Sequence, residues 1–194
     1  MEPTLDRPGA GLPFLEKWVG RLWLMPRDSR KRTDVDLARI FALNGNRALE
    51  AARALTTQEL HRRVLIDRIQ GLEDSSRYWS VAMTLDHLMI VGEKIVELII
   101  RLSRGETITD EVDVAKVKPP IPTQQTQEIL RRFENFIQAQ ERRLANEWKL
   151  RDAPHRFSHP WFGPLTAHQW HWILAVHQRS HRVQVQKIIE AQKN

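Results

Sequence analysis

Two histidines four residues apart, His177 and His181, lie inside a long run of helix formers that begins at Thr166. That spacing turns about 400° around a helix and rises roughly 6 Å, so both imidazoles fall on one face and can reach a single ion. Two nitrogens are too few for a tight divalent site, because zinc takes four donors and an open catalytic site usually keeps three from the protein. The best third donor is His87, which interrupts the apolar stretch from Ser80 to Val91 where an imidazole otherwise has little reason to sit. Three such nitrogens would leave coordination positions for water or substrate, an open site able to generate a hydroxide or thiolate nucleophile at neutral pH. Gln184, one turn past His181, is placed to hold a ligand ring or a bound water by its amide.

The plainer reading of each histidine is a core or boundary residue bonded to a carbonyl. A pair at this spacing also arises often by chance. What favours an ion is the combination of three inward rings on two long helices, since each buried polar group left unpaired costs about 1 to 3 kcal/mol and one ion satisfies all three.

These rings need rigid elements to carry them, and the chain supplies four. Thr33 or Asp34 caps a first helix running through Leu37, Ile40, Phe41 and Ala48 to about Leu55, with Gly45 marking a kink or a close helix contact. Thr56 and Glu59 form a capping box that predicts a further helix through Leu60, Val64, Leu65 and Ile69, closed by a turn from Gly71 to Ser76. The second long helix begins at Ser80, with Trp79 stapled onto its first turn, and extends to about Ser103 with His87 pointing inward. After a polar, proline-rich loop through Asp110, Glu111, Asp113 and Lys118, a third starts between Thr123 and Thr126 and carries Ile129, Phe133, Phe136 and Leu144. Thr166 and Gln169 cap the fourth, whose inner face holds Trp170, Ile173, His177, His181, Gln184 and Ile188, while His168 and His171 point elsewhere. The link before it, from Asp152 to Leu165, mixes His155, His159, Trp161 and Phe162 with prolines and can fold over a site opening.

Ahead of the bundle, Leu12 to Met25 reads as a short amphipathic helix with Leu15, Trp18 and Leu22 on one side, ended by Pro26. The favoured role is an arm that packs its tryptophans across the bundle or onto a second subunit. The other is an anchor on anionic lipid, helped by Arg30, Lys31 and Arg32. The organisation expected is therefore an arm over residues 1–32 and one helical bundle domain over 33–194.

Composition bounds the rest. The chain has 194 residues, a net charge of +6 and no cysteine, which removes disulfides, thiolate ligands and cysteine nucleophiles together and leaves histidine as the metal ligand. The positive charge invites an anionic partner, but Arg131, Arg132, Glu134, Glu141, Arg142 and Arg143 alternate as on a solvated face, and no nucleic-acid reading motif is present. The first residues lack the apolar run of a secretory signal, and Glu93, Lys94 and Glu97 break the most apolar helix, so a cytoplasmic protein without a membrane span is expected.

Trp79-Ser80, His87-Leu88, His159-Pro160, Gly163 to Thr166, Gln169-Trp170, and His177, His181 and Gln184 together resemble the signature of the DinB-like superfamily, over about Asp34 to Ile189. The resemblance implies an all-α four-helix bundle, commonly dimeric, holding a divalent metal through one histidine of the second helix and two of the fourth. Those positions are His87, His177 and His181 here. Zinc is the first expectation for the ion, with nickel or iron as alternatives. It also implies an activity of the types known in the superfamily: thiol transfer with low-molecular-weight thiols such as bacillithiol, mycothiol-dependent isomerisation, or hydrolysis. The sulfoxide synthases of ergothioneine synthesis carry a glutamate two residues after the second histidine; Val183 stands there and argues against that group. Asp86 and Glu93 are expected to face away from the ion, which leaves a glutamate-base hydrolase poorly supported. The expected function is thus a metal-dependent enzyme acting on a small molecule, of thiol transferase or hydrolase type, with His159, Trp161 and Trp170 at the pocket and the catalytic groups unassigned. A helical bundle that only binds or dimerises, its histidines structural or vestigial, is the alternative.

Overall fold

The structure, a computed structural model, describes residues 3–109, 119, 125–150 and 153–193. Most of the loop expected through Asp110, Asp113 and Lys118 lies outside the described residues. The elements are α1 (Phe14–Val19), a π-helical turn (Gly20–Leu24), α2 (Met25–Lys31), α3 (Asp34–Arg53), α4 (Thr57–His61), β1 (Val64–Leu65), β2 (Tyr78–Trp79), α5 (Val81–Ser103), α6 (Thr126–Glu147), β3 (Phe157–His159), β4 (Gly163–Leu165) and α7 (Ala167–Ala191). The fold is all-α, with two small antiparallel hairpins.

The four long helices form the bundle, with α6 and α7 each packed against both α3 and α5. Their ends are set by side chains that the sequence announces. Thr33 accepts from the Asp36 amide while Asp36 accepts from the Thr33 amide; Thr166 and Gln169 reciprocate in the same way at the start of α7, and Ser80 accepts from the Met83 amide at the start of α5. Each cap satisfies amides that a helix start leaves unpaired, and so fixes the phase in which the following inward residues emerge. The core is continuous along the bundle, through Phe41, Leu85, Leu88, Phe133, Ile137 and Leu174. Gly45 is a close contact with no break in α3: a Cβ there would stand 2.9 Å from Ile137 Cδ1 and 3.0 Å from Gln178 Nε2.

Three local expectations are corrected. The helix after Thr56 is a single turn, and Val64 and Leu65 instead form a strand paired with Trp79 and Tyr78. Apolar residues at 60, 64, 65 and 69 fit a helix, but α4 stops where Arg62 turns extended (φ −69°, ψ 119°) and Arg63 stacks on Tyr78 at 4.2 Å. Pro26 does not end the arm helix, because the Met25 amide bonds five residues back to the Gly20 carbonyl. This widened turn relieves the clash a proline ring makes with the preceding turn. The arm tryptophans do not pack across the bundle: Trp18 and Trp23 are 46% and 55% exposed.

The inner face of the arm runs instead through Leu12, Glu16, Gly20, Met25 and Ser29. Its spacing of four, four, five and four residues shows what the π turn does: one extra residue keeps both halves of the arm facing the bundle. Glu16 receives two bonds from the Arg68 guanidinium (2.6 and 2.7 Å) and one from the Gly71 amide. Farther along, Trp172 Nε1 donates to Asp28 at 2.8 Å, and His168 bridges Asp34 (2.6 Å) and the Ser29 carbonyl (2.8 Å).

Candidate metal centre

α5 delivers His87 and α7 delivers His177 and His181 to one point. One nitrogen from each ring lies within 4.8 Å of the other two, and the Nε2 atoms of His87 and His177 are 3.1 Å apart. Two donors about 2.1 Å from one ion and separated by 90 to 109° stand roughly 3.0 to 3.4 Å from each other, so this pair already has the spacing of ligands sharing a cation. His87 and His181 are buried and His177 is nearly so. Desolvation first, then the neighbouring imidazoles, holds the pKa values of His177 and His181 well below the ordinary histidine range. The rings are therefore neutral near pH 7, with lone pairs available to a metal.

The tautomer of His181 is fixed from behind. Gln184 Nε2 donates to the Ser76 carbonyl at 2.7 Å, which leaves its Oε1 to accept from His181 Nδ1 at 2.6 Å. His181 must then carry its proton on Nδ1 and present the Nε2 lone pair, the arrangement by which an outer carbonyl orients a metal-binding histidine.

Trp79 closes one side. Its indole stacks on His181 with ring planes 5° apart at 6.1 Å and tilts against His87 at 5.0 Å. The sequence suggests only a helix staple for this residue; the pairing of Trp79 with Val64 turns it to the site, and no local spacing announces that pairing.

Above the histidines opens a cleft of about 880 Å³, its walls mostly apolar through Leu72, Val91, Ile95, Leu98, Phe157 and Ile173. His159, Trp161 and Trp170 all line it, as their positions in the sequence suggest. The link that holds the first two is a hairpin, with Phe157 opposite Leu165 and His159 opposite Gly163. Trp170 secures it by donating from Nε1 to the Phe157 carbonyl at 3.2 Å. The Trp161 amide donates to His159 Nδ1 at 3.1 Å, so the proton of the neutral ring sits on Nε2. Burial lowers the pKa of His159 to about 4.

Carboxylates are placed differently from the rings. Asp86 turns to α6, where Arg132 lies 3.6 Å away. Glu93 stands exposed at the cleft wall, outside the three-histidine cluster. Among the described residues no carboxylate joins the three-histidine cluster. His168 and His171 lie apart from it, near Asp34, as expected.

A family model, the DinB superfamily, matches residues 40–185. The chain belongs to the DinB superfamily. No curated protein and no solved structure matches it significantly. The matched stretch contains all three histidines and Gln184, with both hairpins and the four bundle helices apart from their outermost turns. The arm, from Phe14 to Lys31, lies outside it.

Proposed function

We propose that this member of the DinB superfamily is a divalent-metal-dependent enzyme acting on a small molecule with an apolar body, with His87, His177 and His181 as the metal ligands. The observation that carries the reading is the meeting of three imidazoles, two buried and one nearly so, at the floor of a cleft large enough for a ligand. Zinc suits three neutral nitrogens, and nickel and iron are accommodated by the same donors. A bound divalent ion would supply Lewis acidity and would lower the pKa of a water or thiol brought to it.

The chain's own residues supply orientation and a dry surrounding. Gln184, anchored on Ser76, holds His181 in one tautomer and one ring plane. Trp79 shields two of the three rings from water on one side. His159 offers an Nε2–H to the cleft and stays neutral throughout the physiological range, so it serves as a hydrogen-bond donor to a polar group of the substrate and not as a cation. Walls of leucine, isoleucine and aromatic side chains take the apolar remainder, in a cavity of the size typical for small-molecule ligands.

Between the two reaction types, thiol transfer is the better supported. Hydrolysis of the glutamate-assisted kind needs a carboxylate beside the ion to take a proton from water, and the described carboxylates do not join the cluster. A thiol needs less help, since its pKa starts near 8.5 and an adjacent metal lowers it further.

The test is a screen of the metal-loaded protein against apolar electrophiles with low-molecular-weight thiols and, separately, against ester and amide substrates. Thiol-dependent turnover that disappears in His177→Ala supports the proposal. Turnover that survives both metal removal and His177→Ala would overturn the metal dependence, and none with any substrate class returns the bundle to a binding role.

A further inference from the structure

The arm carries a surface that the metal centre does not use. Of the eleven large apolar side chains that are exposed among the described residues, seven lie between Phe14 and Leu24. Phe14 is 69% exposed, Leu15 74%, Leu22 62% and Trp23 55%. The three aromatic residues offer roughly 150 to 250 Å² each before burial. With the aliphatic residues beside them they make a strip of several hundred Å², at or above the largest patches usual on a monomer, about 300 to 600 Å².

The exposure does not come from a loosely attached segment. Glu16, Asp28 and Ser29 tie the inner face to Arg68, Gly71, Trp172 and His168, and a Cβ at Gly20 would stand 2.9 Å from Phe162. The π turn maintains this attachment along both halves. The outer strip is therefore presented by a rigid rod.

Charge says what the strip faces. From Phe14 to Arg32 the arm has six basic residues, Lys17, Arg21, Arg27, Arg30, Lys31 and Arg32, against the two acids Glu16 and Asp28. Both acids are engaged inward, by Arg68 and Trp172, although Asp28 also meets Arg32 at 3.4 Å. Arg21, Arg27, Arg30 and Lys31 are exposed, and the Arg27 guanidinium lies over the Trp23 ring at 4.8 Å. A second copy docked strip to strip would bring two such basic rods together, and like charges in contact oppose that pairing. Tryptophans and aliphatic residues bordered by arginine and lysine are the pattern of a helix lying in the plane of an anionic lipid surface.

We propose that Phe14–Leu24, with the basic residues beside it, docks the protein peripherally on an anionic membrane surface. Gly11 and Gly20 of the arm rest against Trp161 and Phe162 of the hairpin, so the lipid would meet the protein beside the wall of the cleft. The proposal stands independently of any metal at the histidines.

The full-length protein is mixed with vesicles of phosphatidylcholine alone, and with vesicles also containing phosphatidylglycerol at about one part in four, and floated through a density gradient. The expected result is recovery with the anionic vesicles, at least about tenfold weaker binding to the neutral ones, and a similar loss in Trp18→Ser/Trp23→Ser and in Arg30→Glu/Lys31→Glu. Both pairs are on the exposed side of the arm, and unchanged circular dichroism and melting confirm that each variant is folded. The proposal is overturned if the wild type stays unbound with both vesicle types, binds both equally, or binds as well after the tryptophans are replaced. It is overturned equally if light scattering shows a dimer that the tryptophan variant splits, since the strip would then be a subunit interface.

Discussion

His87 on α5 and His177 on α7, ninety residues apart in sequence, bring their Nε2 atoms to 3.1 Å. At that distance the two imidazoles share either one proton or one cation. With His181 completing the cluster on the same face of α7, one divalent cation would engage a nitrogen from each of the three rings at once, as the proposed function requires.

Gln184 is the first test of how the centre is held. Gln184→Leu removes the acceptor that fixes His181, and metal affinity is expected to fall about 10- to 100-fold with the helical content unchanged. Gln184→Glu keeps an acceptor for His181 but, like the leucine variant, strands the Ser76 carbonyl, which is expected to cost about 1 to 3 kcal/mol of stability. A competition titration with a metal-sensitive dye and a urea melt separate these two effects.

Stability of the metal-free protein should depend on pH in one direction. His177, His181 and His159 all have folded-state pKa values lowered by burial, that of His159 to about 4. Above about pH 6.5 these rings are neutral in both states and contribute no slope; below it the unfolded chain binds protons that the folded chain refuses, so stability falls as pH falls. His159 alone, displaced from about 6.5 to about 4, would contribute on the order of 3 kcal/mol over that window. Urea melts of chelator-treated protein between pH 7.5 and 4.5 check the sign, and a rise in stability on acidification would contradict the burial of these rings.

Packing between α5 and α6 offers a control remote from the ion. A Cβ at Gly92 would fall inside van der Waals contact with the Phe136 ring, which itself packs edge-on against Phe41 at 5.9 Å. Gly92→Ala should therefore destabilise by about 1 to 3 kcal/mol, despite the gain of up to about 1 kcal/mol in helix propensity. Thermal melts should show it; a more stable variant would mean the ring moves freely aside.

Much of this architecture can be read before any coordinates. The capping residues Thr33, Ser80 and Thr166 mark where three of the long helices begin, and the intervals among His177, His181 and Gln184 place them on one face, because both signals are local to one helix. The contribution of Trp79 is hidden for the opposite reason: it depends on pairing with Val64, and the apolar spacing around Val64 suits a helix as well as a strand. The exposure of Trp18 and Trp23 is hidden too. An amphipathic pattern says that one face of the arm is apolar, but Glu16, Gly20 and Ser29 decide which face meets the bundle, and they do so through partners as distant as Arg68, Phe162 and His168.

Metal content measured by mass spectrometry on purified wild type and His177→Ala tests the central claim most directly. The account predicts about one divalent ion per chain in the wild type, with loss of most of it in the variant while circular dichroism stays helical. Equal metal in both proteins, or none in the wild type after purification without chelator and incubation with zinc, nickel and iron salts, would contradict it.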